Sequence, residues 1–382
     1  MMKGNTQLRQ ESIRQVLSQI KYSGPISKRE LQDKTGFSWG KISFVSNLLL
    51  NENYAMTVGK QDTFVGRKPE ELDININDNY IIGVDFSCEG VLVVVCDLKG
   101  RVINKYFNKF AQYNYDTALN TLFSLVQKAL YDNPQKNIIC ISVAMQGEVD
   151  TEKGVAKLIR AIEGWENVPV CDLLFERFKI PALLLHDPDC LLYTERFYGA
   201  LKDDEIENSA LIRLDHHGIG IAAVIDGEMF TGVGKRRCEI GTVAVPDDKG
   251  GQTLLYNILT EKYIQKEFYY MTNEDLSCDE IADLARQGDE EACLIFRRQS
   301  IALGFAFNSL ISLLNSEKIV IFGEFCKYLD LILPDAQKVV YDLQYGYGPK
   351  IVLSKLQNDA AAVGAALCAS DKVIMGLELS GN

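Results

Sequence analysis

Apolar residues recur at helical spacing near the start of the chain and in short strand-sized runs further on. In residues 9–20, Ile13, Val16, Leu17 and Ile20 share one side of a helix, which predicts an amphipathic helix packed on a core. From about residue 80, short apolar runs alternate with longer amphipathic stretches. That alternation is typical of an α/β fold.

Two short helices joined by a glycine turn are predicted after the first helix. Ser27 is an N-cap with Glu30 three residues later, which is the signature of a capping box. Gly36 lies in the turn, where a positive φ angle is accessible, and Ser38 caps the second helix. The second helix has apolar residues on one side and a polar outward side formed by Trp39, Lys41, Ser43 and Asn47. This arrangement is typical of a DNA-reading helix-turn-helix, in which Ser38 and these four residues are the candidate DNA contacts.

A wing is predicted directly after the helices. Residues 54–58 form a strand, 59–62 a turn and 63–65 a returning strand, and residues 66–69 then place Arg67 and Lys68 on a stiff tip. Such a tip can enter a minor groove or clamp phosphates, so both cations are candidate DNA contacts. The alternative is a small helical interaction domain with no role in DNA binding.

The charge distribution supports a polyanionic partner for the front of the chain. The net charge is −12, yet residues 1–70 hold 11 basic and 6 acidic residues, which is a net of +5. The rest of the chain has a net charge of −17. A basic segment on an acidic body indicates that one end meets a polyanion, although a solvated basic face is the simpler alternative.

The body is expected to have two lobes with a cleft between them. Its predicted elements are strands at 80–85, 91–97, 101–107, 137–144, 181–185, 210–214, 220–225, 228–231, 318–322 and 351–353, and helices at 117–131, 171–178, after 187, 254–265, 278–286, 292–314 and from 360. Three hairpin strands open each half, which suggests a duplicated, actin-like or ribonuclease-H-like plan. We expect a head at 1–71, a hinge at 72–79 and a body at 72–382, with lobe one at about 78–197 plus the C-terminal helix and lobe two at about 198–364.

Several motifs resemble those of the ROK family (repressor, open reading frame, kinase), and the resemblance covers nearly the whole chain. The matching stretches are the helix-turn-helix with Gly66-Arg67-Lys68-Pro69, Val84-Asp85, Asp97–Gly100, Gly164–Pro169, Asp187 with Glu195 and Gly199, Gly218-Ile219-Gly220, Asp226-Gly227, Glu239–Gly241 and Gly364–Ala366. The resemblance implies a winged helix-turn-helix joined to a sugar-kinase fold. Members with such a head are typically sugar-responsive repressors, and members without it are often ATP-dependent sugar kinases.

The resemblance also implies a ligand site between the lobes. Asp187 occupies the position of the kinase base, where a carboxylate takes the proton of a sugar hydroxyl or accepts hydrogen bonds from it. His186, which replaces the family's Asn, belongs with Asp187, Glu239 and Asn167 to the expected sugar contacts. The simpler alternative for His186-Asp187 is the start of a helix.

The chain departs from the kinase members at three ATP contacts and at the zinc site. Phe86–Glu89 replaces a glycine-rich turn, Asp215-His216-His217 precedes the second phosphate loop, and Gly323-Glu324 replaces a Gly-Gly pair. Thr242 occupies the place of the zinc-binding His, and no cysteine follows before Leu254. We therefore expect no ATP, no structural zinc, no other metal and no catalytic residue.

Three functions remain open at this stage. The first is a DNA-binding repressor of carbohydrate genes, whose partners are an operator duplex, a sugar or sugar-phosphate effector and a second copy, as a homodimer or dimer of dimers. The second is a sugar kinase with an attached head, and the third is a regulator whose body is only a scaffold. Because no apolar run is long enough to span a bilayer and no signal peptide is evident, we expect a cytoplasmic protein without a membrane partner.

Overall fold

The front of the chain folds into helices and a small sheet. The computed structural model describes residues 2–60, 70–75, 79–87, 90–202, 206–215, 218–232, 238–247, 250–346 and 348–376. The elements of the head are α1 (Met2–Ser23), β1 (Ile26–Ser27), α2 (Lys28–Thr35), α3 (Trp39–Asn51), β2 (Ala55–Lys60) and β3 (Glu70–Ile74). The capping box of Ser27 and Glu30 is present, and Gly36 ends α2 with a φ of 68°, as the sequence predicts.

The wing differs from its prediction. Strand β3 pairs with both β1 and β2, so the sheet has the order β1-β3-β2. Leu72 and Ile74 are buried in the head's core, which means that the predicted hinge at 72–79 was wrong for its first three residues. The predicted return strand at 63–65 and the tip at 66–69 lie outside the described residues. Residues 59 and 60 continue strand β2, whereas the sequence suggested a turn there.

The first lobe carries a five-stranded sheet with helices on it. Its elements are β4 (Asn79–Ser87), β5 (Gly90–Asp97), β6 (Val102–Lys109), α4 (Tyr115–Asp132), β7 (Asn137–Met145), β8 (Glu148–Asp150), β9 (Val155–Leu158), β10 (Glu166–Val168), α5 (Val170–Phe178), β11 (Ala182–His186) and α6 (Asp187–Tyr198). The main sheet has the order β11-β7-β4-β5-β6.

The second lobe repeats this plan. Its elements are β12 (Ser209–Asp215), β13 (Gly218–Ile225), β14 (Glu228–Met229), β15 (Ala244–Pro246), β16 (Gln252–Leu254), α7 (Leu255–Ile258), α8 (Glu261–Thr272), α9 (Cys278–Gln287), α10 (Glu290–Leu314), β17 (Lys318–Phe322), α11 (Leu329–Leu343) and β18 (Lys350–Leu353), and α12 (Ala360–Gly376) follows. The sheet order is β14-β13-β12-β17-β18. In each lobe an antiparallel three-strand meander is extended by two parallel strands, so the predicted two-lobed, duplicated fold is confirmed.

Two helices of the second lobe differ from the sequence prediction. The helix expected at 254–265 is divided into α7 and α8, because Thr260 accepts a hydrogen bond from the Tyr263 amide and caps a new helix. Helix α11 contains Pro334, which argued against a helix there, and the sequence analysis missed it.

The C-terminal helix α12 lies against the first lobe and against α6. A Cβ added to Gly83 of β4 would lie 2.1 Å from the Ala362 carbonyl oxygen, and one added to Gly364 would lie 2.0 Å from that of Cys190 in α6. Both glycines therefore permit close backbone contact, which fixes α12 between the sheet and α6. Within the described residues, no helix is both long and apolar enough to cross a membrane.

Candidate functional site

Helix α3 has the buried and exposed sides that a DNA-reading helix requires. Ile42, Val45 and Leu49 are buried in the head's core. Ser38 caps the helix by accepting a hydrogen bond from the Lys41 amide. The remaining side of α3 faces solvent, so it is available for docking on a duplex.

The predicted contact residues lie at or near this exposed side. Trp39 is 53% exposed. Lys41 is exposed, with its Nζ 3.6 Å from the centre of the Phe37 ring, and Ser43 is partly buried. Asn47 is exposed and its Oδ1 accepts a hydrogen bond from Lys28 Nζ at 2.9 Å. Arg67 and Lys68 lie outside the described residues.

The sequence analysis missed Phe44, an aromatic residue on the same side. Phe44 follows Gly40 by four residues and precedes Asn47 by three, so helix geometry places it between them. Its side chain is 52% exposed, and a Cβ added to Gly40 would meet no atom within 4 Å. Counting positions around the helix would have identified Phe44, because it lies one turn from Gly40 and Asn47 on the exposed side.

In the cleft, Asp187 is paired with an arginine from the other lobe. Asp187 is the first residue of α6 and is 5% exposed. Arg213 of β12 donates from Nη1 to Asp187 and from Nε to Asp215. Its guanidinium therefore joins the start of α6 to the second lobe's sheet. The sequence analysis did not select Arg213, although a lone cation in an apolar strand was a visible signal.

Around Arg213, three carboxylates face one guanidinium among the described residues. Burial raises the pKa of Asp187 to about 6 even though Arg213 opposes that shift. Burial also raises the pKa of Asp85 to about 7, against the attraction of Arg213 and with the repulsion of Asp187 and Asp215. The Oδ1 atom of Asp85 is buried and receives no hydrogen bond from the described residues. The group is therefore poised to gain a proton or a hydrogen-bond donor near neutral pH.

Asp215 also binds the turn at Gly323-Glu324, where the sequence analysis noted that Glu324 replaces the second glycine of a Gly-Gly pair. Its Oδ1 accepts a hydrogen bond from the Glu324 amide at 3.3 Å. Gly323 has a φ of 121°, and an added Cβ would lie 2.2 Å from the Leu214 carbonyl oxygen. A backbone N–H at the edge of the cleft is thus bound by a carboxylate of the protein itself. Of Asp215-His216-His217, only Asp215 lies within the described residues.

The other predicted ligand residues differ in burial and in their neighbours. His186 is buried and precedes α6 without capping it through its side chain. Glu239 is exposed, and its pKa is raised by partial desolvation and by Glu148, while Arg160 opposes the shift. The charged residues that shift the pKa of Glu239 are therefore different from those that shift the pKa of Asp187.

Asn167 and Trp165 differ in exposure. Asn167 is exposed on β10 with a left-handed φ of 52°. Trp165 is fully buried against Phe86 and Tyr115, so it packs in the core.

The segment that resembles the zinc loop is a short hairpin. Strands β15 and β16 pair antiparallel, and Asp247 Oδ1 accepts a hydrogen bond from the Gly251 amide at 2.7 Å. Among the described residues, no group of three His, Cys, Asp or Glu side chains is arranged to hold a metal. Backbone pairing holds the described part of this segment.

Two curated relatives match most of this chain at low identity. The xylose repressor of Bacillus spizizenii is 21% identical over 358 residues, covering 91% of this chain and 92% of that protein. The DNA-binding transcriptional dual regulator NagC of Escherichia coli is 24% identical over 333 residues, covering 83% and 81%.

Solved structures share the fold. A ROK-family transcriptional regulator, described as a homologue of the E. coli MLC protein, has a TM-score of 0.79 at 20% identity and covers 97% of this chain and 99% of its own. A ROK hexokinase from Thermus thermophilus has a TM-score of 0.65 at 20% identity and covers 77% of this chain and 99% of its own.

The family model described as "ROK family" matches residues 81–372, which is most of the chain and spans both lobes and nearly all of α12. With that match and the duplicated fold, the protein belongs to the ROK family.

Proposed function

We propose that this protein is a sequence-specific transcriptional repressor of carbohydrate-metabolism genes, with a sugar-sensing body that lacks kinase activity. The head extends to Ile74 and reads DNA, and the body from residue 79 onward binds the effector. The observation that carries the proposal is the exposed side of α3 on a packed helix-turn-helix core. The names of the xylose repressor and of NagC, together with the regulator whose structure matches 97% of the chain, support it.

The head is tested by DNA binding of the full-length protein to a duplex obtained by in vitro selection. Trp39→Ala and Lys41→Ala should change the selected sequence, because these residues face the bases. Arg67→Ala and Lys68→Ala should weaken binding at all sequences and flatten its salt dependence, because they neutralise phosphates. Lys128→Ala is the matched control, since it removes an exposed cation from α4 of the body. Equal binding by all these variants would end the assignment.

Phe44 is proposed as an additional base contact. An exposed aromatic ring on a recognition helix can pack on the methyl group of thymine in the major groove. Replacing that thymine by uracil removes only the methyl group, so binding should fall by about fourfold. Phe44→Ala should abolish the difference between the two duplexes. Sensitivity that persists in Phe44→Ala would assign the methyl contact to another residue.

We propose that the protein lacks kinase activity because of the contacts that Asp187 and Asp215 make in the cleft. Arg213 holds the Asp187 carboxylate, which a kinase would need as an available base. Asp215 adds a carboxylate at the turn that a phosphate-binding loop would keep neutral or positive. We therefore expect no ATP-dependent phosphorylation of a hexose panel. Turnover that Asp187→Asn abolishes would instead identify a kinase.

The kinase alternative has one specific observation in its favour. The pKa of Asp187 is raised to about 6, which is a useful value for a general base. Desolvation in a cleft that also binds sugar hydroxyls accounts for the same shift. The phosphorylation assay decides between the two.

The scaffold alternative differs in its response to ligands. If the body binds a sugar or a sugar phosphate, a screen of such compounds should raise the melting temperature by mass action. Asp187→Asn should reduce that increase, and Tyr131→Phe, at an exposed position of α4, should leave it unchanged. If no compound stabilises the protein, the scaffold role replaces the sensor.

We also propose a homodimer. One helix-turn-helix makes few base contacts, and two heads on half-sites about one helical turn apart give the affinity that specific binding requires. Sedimentation of the protein with and without the selected duplex tests this. A monomer bound to a single half-site at full affinity would contradict it.

A further inference from the structure

The head is attached to the body by a buried ion pair. Lys21 at the end of α1 is 2% exposed, and its Nζ lies 2.5 Å from Asp371 Oδ1 on α12. The Tyr22 hydroxyl donates to the other oxygen, Asp371 Oδ2, at 2.5 Å. Both oxygens of a single carboxylate on α12 are therefore bound by the head.

Tyr22 contacts helix α6 as well. Its ring stacks on Phe197, with ring centres 3.6 Å apart and planes inclined by 14°. Its hydroxyl lies 3.3 Å from the hydroxyl of Tyr193. One head residue thus contacts both α6 and α12.

A second buried pair supports this junction. Lys99, in the turn between β5 and β6, places Nζ 2.5 Å from Asp73 Oδ1 on β3 and donates to the Gly24 carbonyl oxygen at 3.0 Å. Tyr198, the last residue of α6, donates to the Lys99 carbonyl oxygen. The end of α6 is therefore linked to both points at which the head is attached.

Buried ion pairs of this kind fix orientation more than they add stability. Desolvation lowers the pKa of Lys21, and Asp371 opposes that effect. Because apolar residues of similar volume can replace such pairs at little cost in stability, their benefit lies in directional contacts. The junction therefore attaches the head to the body through directional contacts.

Helix α6 connects this junction to the cleft. Its first residue, Asp187, is bound by Arg213 of the second lobe, and Tyr193 and Phe197 lie on its last turns. The helix has 12 residues and is about 18 Å long. At Gly364 it is in close backbone contact with α12, and Thr194 Oγ1 of α6 donates to the Ala360 carbonyl oxygen of α12 at 2.8 Å.

We propose that Tyr22 is a positioning residue through which the cleft controls the head. This inference rests on the proposed function, because it supplies the route from effector to DNA. A ligand that changes the Asp187–Arg213 contact would tilt α6 against α12, and Tyr22 could then keep its contacts with only one of the two helices. The ligand shifts the head's orientation to the extent that it binds the two arrangements with different affinity.

The test is a double-mutant cycle on the full-length protein, read by hydrogen–deuterium exchange, and it needs neither DNA nor a sugar. Arg213→Lys perturbs the cleft end of α6, and Tyr22→Phe removes the hydroxyl while it keeps the stacked ring. We expect Arg213→Lys to speed amide exchange in residues 19–24 and 368–373 by about threefold. That increase should disappear in the Tyr22→Phe background, because the junction no longer responds to α6.

The outcomes separate this inference from the proposed function. No change at the junction in Arg213→Lys, or the same change with and without the Tyr22 hydroxyl, would overturn the role of Tyr22. If Arg213→Lys does not fold, Asp187→Asn perturbs the same contact with a side chain of the same shape. Tyr131→Phe, at an 80% exposed tyrosine of α4, should leave the junction response unchanged. If Arg213→Lys changes exchange at the junction through Tyr22 but the protein binds no selected duplex, the repressor assignment is refuted and the role of Tyr22 stands. If the protein binds DNA but this coupling is missing, the role of Tyr22 is refuted and the repressor assignment stands.

Discussion

The cleft and the head–body junction both contain buried charges, but only the junction is balanced. Among the described residues of the cleft, one guanidinium, Arg213, faces three carboxylates, and the pKa values of two of them are raised. At the junction Lys21 is matched by one carboxylate, Asp371, which also accepts the Tyr22 hydroxyl. A balanced pair holds one geometry, whereas an unbalanced group responds to protons or to a ligand. The difference separates a junction whose charged groups are paired within the protein from a cleft whose carboxylates can still bind a proton or a ligand.

Removing Arg213, the cation that faces Asp85, Asp187 and Asp215, should have the largest effect on stability. Arg213→Met leaves the buried Asp187 and the partly buried Asp215 without their counter-charge, so the free energy of unfolding at pH 7 should fall by about 3–5 kcal/mol. Urea denaturation measures this loss in the free energy of unfolding. The loss should be smaller at pH 5, because the carboxyl groups with raised pKa values then bind protons. Arg286→Met, which removes solvent-exposed contacts with Asp283, Asp330 and the Lys327 carbonyl oxygen, is the control and should cost less.

Removing both partners of the Lys21–Asp371 pair should destabilise the protein less than removing Lys21 alone. Lys21→Met alone leaves Asp371 buried beside an apolar group and should cost about 3 kcal/mol in urea denaturation. Lys21→Met combined with Asp371→Leu should recover most of that loss. A double variant as unstable as the single one would show that the pair stabilises the junction directly.

Replacing Asp85 should change how the stability of the protein depends on pH. The pKa of Asp85 is raised to about 7, so its contribution to stability is present at low pH and is lost as pH rises through 7. Asp85→Asn cannot ionise and should be more stable than the parent at pH 8 by about 1–3 kcal/mol. Thermal unfolding between pH 5 and pH 8 tests this, and the two proteins should converge toward pH 5. Parallel profiles would show that Asp85 does not titrate in this range.

The exposed ion pair between Lys105 and Asp359, which joins segments far apart in the sequence, should contribute least to the free energy of unfolding. Lys105 Nζ lies 2.9 Å from Asp359 Oδ2, but the lysine side chain is 44% exposed. Lys105→Met should change unfolding free energy by about 1 kcal/mol or less, and added salt should remove the difference. A larger effect would mean that distance along the chain, and not burial, sets the strength of these pairs.

Local sequence signals predicted much of the head and the plan of the body. Ser27 with Glu30, Gly36 and Ser38 act within a few residues, and each has the predicted role in the structure. The three-strand meanders of both lobes were also evident, because their hairpins join neighbours in the chain. Helix α11 was not predicted, because the proline that it contains, Pro334, disfavours a helix interior.

The chain by itself determined the helix caps, the apolar faces and the basic front, because those depend on residue type and short-range spacing. Only the tertiary structure decided which charges meet. Lys21 and Asp371 are 350 positions apart, and Arg213 reaches Asp187 because two lobes pack at their strand ends. The same is true of β3, whose place in the head's sheet arises from pairing with β1 and β2. Periodicity determines which side of an element is buried, whereas its partner is selected by the packing of the whole chain.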